Sequence, residues 1–141
     1  MTSHLDNLVR IKQLKAEPRS QSEFDGLVRS GLARLKDAEN KALSPESRFD
    51  LAYNAAHALS LAALRSHGYR SESRFLVFQC LEHTLALPKE QWRVLEQAHR
   101  KRNLAEYEGD IEVDMELLAA LLRVAREVAK RVADLPRSAS S

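Results

Sequence analysis

Few residues in this sequence interrupt a chain or staple it. In 141 residues there are one cysteine, four glycines, four prolines and one tryptophan. A single thiol excludes an intrachain disulfide and every paired-cysteine zinc motif, so Cys80 is expected to be a small core residue. So little glycine and proline excludes a low-complexity or turn-rich chain. No stretch alternates apolar and polar residues with the β-branched enrichment of a strand, and there is no internal repeat. No apolar run approaches the roughly 20 residues that a membrane span needs. The opening residues Met1 to Asp6 lack the charged and apolar regions of a secretory signal, so the expected compartment is the cytoplasm. Net charge is also scarce, at +2. That balance lacks the bulk electrostatics of a dedicated nucleic-acid binder and leaves only local patches, such as His99 to Arg102, to meet phosphate. A glycine-rich phosphate loop and a nucleophile elbow are absent too, and no cofactor is expected.

What is present is helix. Hydrophobic residues make up 44% of the chain and charged residues 30%, a mixture that suits one ordered domain with a real core. Leu5, Leu8, Ile11 and Leu14 recur at helical spacing and predict a short first helix ended by Pro18. Ser20 with Glu23 has the form of a capping box before a second stripe, Phe24, Leu27, Val28, Leu32, Leu35 and Ala42, in which Gly31 marks close packing. Ser44-Pro45 opens a long helix, alanine-rich from Phe49 to Leu64, whose small residues admit neighbours on more than one side and place it at the centre. Gly68 ends it. Ser71 or Ser73 caps a helix buried through Phe75, Phe78, Leu81 and Leu85, Pro88 separates the next, and Gly109 closes that one. Asp110 to Asp114 reads as a linker. Asp114 caps a last helix whose Leu118, Leu121, Leu122, Ala125, Val128 and Val132 face inward and whose carboxyl end carries Arg126, Lys130 and Arg131. The expected fold is all-α: an up-and-down four-helix bundle with an additional short N-terminal helix, one domain over residues 1–135 and a disordered tail over 136–141.

The stretch Gln97 to Gly109 concentrates the candidate chemistry. On a helix, Trp92, Leu95, His99, Arg102, Asn103 and Glu106 share one face, so an apolar stripe continues as a polar one and should meet a polar cleft or a subunit seam. Arg100 and Arg102 offer forked donors for phosphate, Asn103 a donor and an acceptor, and Tyr107 a stacking face with a hydroxyl. Equally, Arg102 can pair with Glu106 one turn on and pin the helix. Glu96-Gln-Ala-His99 has the Glu-x-x-His form of di-iron bundles, but the required second copy is absent and no metal is expected. His57, in line with Tyr53, Leu61 and Leu64, is either a hydrogen-bonded core histidine or a residue that reaches the Arg102 cleft. His4, His67 and His83 read as surface residues.

The run Tyr53-Asn-Ala-Ala-His57-Ala-Leu with the Gly68-Tyr69 break, together with Arg102-Asn103 followed by Ala105-Glu106-Tyr107, resembles the HEPN superfamily of small helical-bundle proteins, common in prokaryotic toxin–antitoxin and nucleotidyltransferase-linked pairs. The resemblance covers the chain from about Phe24 onward. It implies a homodimer whose arginine-bearing helices face each other, a nucleotidyltransferase partner, and a cleft that in active members cuts RNA without metal by means of an arginine and a histidine four to six residues beyond it. Here those positions hold Ala105, Glu106 and Tyr107 counted from Arg100, or Tyr107, Glu108 and Gly109 counted from Arg102, while His99 precedes both. A phenol keeps its proton at neutral pH and is a poor general base. The expectation is therefore an RNA- or nucleotide-associated module, non-catalytic or weakly catalytic, with Arg100, Arg102, Asn103, Tyr107 and His57 as binding residues. The alternatives are a divergent metal-independent ribonuclease toxin using Tyr107 or His57, and a pure interaction or structural dimer.

Overall fold

The computed structural model describes residues 3–109 and 112–136. Among the described residues, seven helices and one short ribbon follow in the order α1 (His4–Arg10), β1 (Lys15–Ala16), α2 (Gln21–Ala38), α3 (Pro45–Ser66), β2 (Tyr69–Arg70), α4 (Arg74–Gln79), α5 (Leu81–Thr84), α6 (Lys89–Glu108) and α7 (Met115–Ala133). The four long helices form the expected bundle, and the short α1 precedes them. Apart from Pro136, the tail expected to be disordered lies outside the described residues, as do Asp110 and Ile111 of the linker. Among the described residues no helix is long and apolar enough to cross a membrane.

Capping chemistry sets the boundaries. Ser20, Ser44, Ser73 and Asp114 each accept a backbone N–H from the first turn of their helix, and Pro45 takes the first helical position. Gly109 ends α6 at φ 78°, a left-handed conformation that a side chain would strain. Helix α3 is the central element, packed on α2 and α7 and also touched by α4, α5 and α6. Ala52, Ala55, Ala56, Ala62 and Ala63 on it are completely buried. Gly31 is where α2 comes closest to it: a Cβ there would stand 2.7 Å from Leu59 Cγ, so the expected close packing is real.

Several sequence expectations need correction. Helix α1 stops at Arg10 because Lys12 turns into the left-handed region, leaving Ile11 64% exposed while Leu14 folds back into the core. Residues 15–16 then pair antiparallel with 69–70, a ribbon too short to have left a periodic signal. Helix α2 ends at Ala38, so Ala42 lies in an exposed connection, and Leu32 is half-exposed. The single helix expected after Ser73 is divided at Cys80 into α4 and α5. Cys80 itself is buried, and burial raises its thiol to about 11. His4, His67 and His83 are exposed, as expected; His4 stacks on His83 with ring centres 4.3 Å apart, and His67 Nε2 lies 3.1 Å from the Thr84 carbonyl.

One charge lies wholly inside. Arg65, 2% exposed, donates from Nε to Glu23 at 2.5 Å and from its terminal nitrogens to the carbonyls of Glu17 and Pro18 at 3.0 and 2.7 Å. Arg70 reaches the same two glutamates, Glu17 at 2.8 Å and Glu23. This network ties the segment after α1 to the end of α3 and the start of α2. Glu23 shows the balance of forces: burial opposes its charge, but hydrogen bonds and charge from Arg65 and Arg70 hold its pKa below the usual value. Removing the guanidinium leaves two carbonyls without their donor and takes from Glu23 one of the two guanidinium groups that hold it. Arg65→Ala is therefore expected to cost about 3–5 kcal/mol, read from the urea midpoint.

Candidate functional site

Three elements converge on one polar cluster. Helix α3 contributes Asp50, Tyr53, Asn54 and His57, spaced i, i+3, i+4 and i+7 and hence on one face. Helix α6 runs against it in the opposite direction and contributes His99, Arg102, Asn103 and Glu106. Helix α4 sits beside both and supplies Arg74, Phe75 and Phe78. The polar continuation of the α6 stripe is thus completed within the chain by α3.

Tyr53 is at the centre, 1% exposed. Its hydroxyl lies 2.8 Å from His99 Nδ1, and Asn103 Nδ2 lies 3.1 Å from His99 Nε2. An amide nitrogen only donates, so Nε2 accepts and the ring proton sits on Nδ1, which donates to the Tyr53 oxygen. Burial raises the Tyr53 pKa, which the neighbouring guanidinium groups of Arg74 and Arg102 only partly offset. The guanidinium carbons of Arg102 and Arg74 stand 5.0 and 5.4 Å from the centre of its ring, within cation–π range. Phe78 meets Tyr53 and His57 edge-on at 5.9 and 6.1 Å, and Phe75 lies 6.0 Å from His99.

The two arginines differ in how their charge is met. Arg102 donates from Nε to Asp50 at 3.0 Å and from Nη1 to Glu106 at 3.2 Å. Both carboxylates are more than half exposed, so each pair contributes on the order of 0–1 kcal/mol. Arg74 donates from Nη1 to the neutral Asn54 side chain at 3.0 Å, and among the described residues it has no carboxylate within ion-pair distance. A half-buried guanidinium without a counter-charge acts on its surroundings. Burial and the nearby charges of Arg74 and His99 push His57 down to about 4; burial, Arg74 and Arg102 lower His99. Both histidines are therefore neutral at pH 7.

Beyond Arg102 opens a cleft of about 320 Å³ lined by Glu46, Phe49, Asp50, Arg102, Ala105, Glu106 and Gly109. Three carboxylates against one guanidinium make it a poor receptor for phosphate. The free positive charge is on the Arg74 side.

Of the residues singled out from sequence, Arg102, Asn103 and His57 belong to this cluster. Arg100, 72% exposed and 3.6 Å from Glu96, and Tyr107, 92% exposed, lie on the outer face of α6. Glu96 is engaged by that arginine and His99 by Tyr53 and Asn103, so the Glu-x-x-His pair does not converge. No three His, Cys, Asp or Glu side chains are grouped to hold a metal among the described residues. Sequence reasoning missed Arg74, Asp50 and Asn54, and did not count Tyr53 in the site. The stripe Asp50, Tyr53, Asn54, His57 inside an alanine-rich helix was the available signal; Arg74, at the start of a six-residue helix, had none.

Comparison with family models, curated proteins and solved structures gives no match to this chain.

The neutral histidines give a pH dependence. His57 titrates lower when folded than its ordinary 6.5, so between these values the unfolded chain binds more protons. Its contribution is complete above pH 6.5 and is lost as pH falls from there toward 4. A decline on the order of 2 kcal/mol, discounted for partial exposure, is expected in urea titrations across that window, and His57→Gln should flatten it.

Proposed function

We propose that the chain is a HEPN-like RNA- or nucleotide-associated module that binds phosphate at the α3–α4–α6 cluster, with little or no catalysis. On this reading it is a cytoplasmic homodimer that works beside a nucleotidyltransferase, as in toxin–antitoxin pairs. The observation that carries the binding claim is Arg74: a half-buried guanidinium with no carboxylate partner among the described residues, bonded to Asn54 and lying over the ring of Tyr53, which meets Phe78 edge-on. An incoming phosphate would supply the missing counter-charge, and Asn103 at the rim would take a polar edge.

Weak catalysis follows from the bases at hand. Both ring nitrogens of His99 are engaged, His57 is too weakly basic to draw a proton from a 2′-hydroxyl efficiently, and Tyr107 points to solvent. The rival reading, a structural or interaction module, is favoured by the pairing of Arg102 with Asp50 and Glu106.

Binding of a fluorescent single-stranded RNA separates the two. The wild type is expected to bind with a salt-dependent affinity, weakening as sodium chloride rises from about 50 to 200 mM. Arg74→Ala should abolish this binding while leaving the urea midpoint nearly unchanged; Arg102→Ala should cost only about 1 kcal/mol of stability. No binding by the wild type at low salt would establish the structural reading. Rapid cleavage of the RNA with chelator present would overturn the non-catalytic assignment.

A further inference from the structure

The face of α6 that looks away from the bundle is organised too. Arg93, Gln97, Arg100, Leu104, Tyr107 and Glu108 are all exposed and fall on one stripe, opposite the buried Trp92, Leu95 and Ala98. Large apolar side chains exposed to solvent are few among the described residues: Ile11, Leu32, Leu104, Tyr107 and Met115. Two of them are neighbours on this stripe, three residues apart. Leu104 is 52% exposed and Tyr107 92%.

The charges around them are ordered. On the stripe, Arg93 and Arg100 precede Leu104 and Glu108 follows it. Arg100 stands four residues before Leu104 and Glu108 four after, one helical turn each way. A two-fold axis through Leu104 therefore exchanges them. It sets Leu104 on Leu104, and Arg100 beside Glu108 and the Tyr107 ring of the other copy, so that the Arg100–Glu108 ion pair forms twice. A parallel arrangement would put like charge on like. Among the described residues Arg100 is held only by the Glu96 pair at 3.6 Å, which leaves most of the guanidinium open to such a contact.

We infer that the chain self-associates through this outer face of α6, antiparallel and two-fold symmetric about Leu104, with Arg100 and Glu108 exchanged across the interface. The surface is self-complementary in charge, which an isologous contact requires. It is also small, so the dimer is a weak one that dilution dissociates. The inference rests on the dimeric part of the function proposed above but places the contact on the opposite side of α6 from the arginine-bearing cluster.

Sedimentation equilibrium at low salt tests it. The wild type is expected to reach dimer mass at about 100 µM and to fall toward monomer on dilution. Arg100→Glu puts Glu against Glu108 at both ends and should weaken association at least about tenfold. The double variant R100E/E108R should restore it, and R100E mixed with E108R should form the heterodimer. Leu104→Glu should be monomeric with an unchanged circular dichroism spectrum. A wild type that is monomeric throughout would reject both the dimer and this interface. A wild type that dimerises, with R100E and L104E dimerising equally well, would reject the interface and leave the dimer standing.

Discussion

Every side of α3 must be covered, and that requirement shapes the molecule. The helix is 22 residues long and touches α2, α4, α5, α6 and α7, and from Leu51 to Ser66 no residue of it is exposed. Small side chains resolve most of the crowding. Alanines fill the faces toward α2 and α7, and the missing Cβ of Gly31 lets α2 close on Leu59. At its carboxyl end a buried cation, Arg65, replaces apolar packing and converts the loose segment after α1 into part of the structure.

Toward α6 the solution is different. Here α4 stands beside the two helices, which meet through long side chains, and the space is filled by hydrogen-bonding groups around one phenol. A buried polar cluster is tolerable only if its members satisfy one another. Tyr53, His99 and Asn103 do so in a chain of hydrogen bonds, and Asp50 and Glu106 balance Arg102. Arg74 is the member whose charge the described residues leave uncompensated. Burial lowers both histidines most and the charge of Arg74 lowers them further, a local excess of positive charge in a chain whose net charge is nearly balanced.

The bundle was legible because helix boundaries are written locally. Ser44-Pro45, Ser20 with Glu23, Asp114 and Gly109 each act through a neighbouring N–H or a single backbone conformation, and each is found where the sequence placed it. Features that depend on distant partners were not legible. The ribbon between residues 15–16 and 69–70 and the Arg65 network join segments about fifty residues apart, and nothing in either segment alone announces the other. The site was half legible for the same reason. Periodicity put His99, Arg102 and Asn103 on one face of α6, but it could not say that Tyr53 would meet His99 or that Arg74 would arrive from a short helix between them. Arg100 and Tyr107 were grouped with Arg102 by proximity in sequence, and the helical turn carried them to the other side.

The central claim is that the excess positive charge at Arg74 awaits an anion. Ring resonances of His99 and His57, followed by NMR through a pH titration with and without a short RNA oligonucleotide at up to about 1 mM, report on that charge directly. A phosphate bound beside Arg74 offsets the charge that helps to depress both imidazoles, so the account predicts that the oligonucleotide raises their pKa values, His99 toward its ordinary range or above. Titration curves that superimpose with and without the oligonucleotide would contradict it.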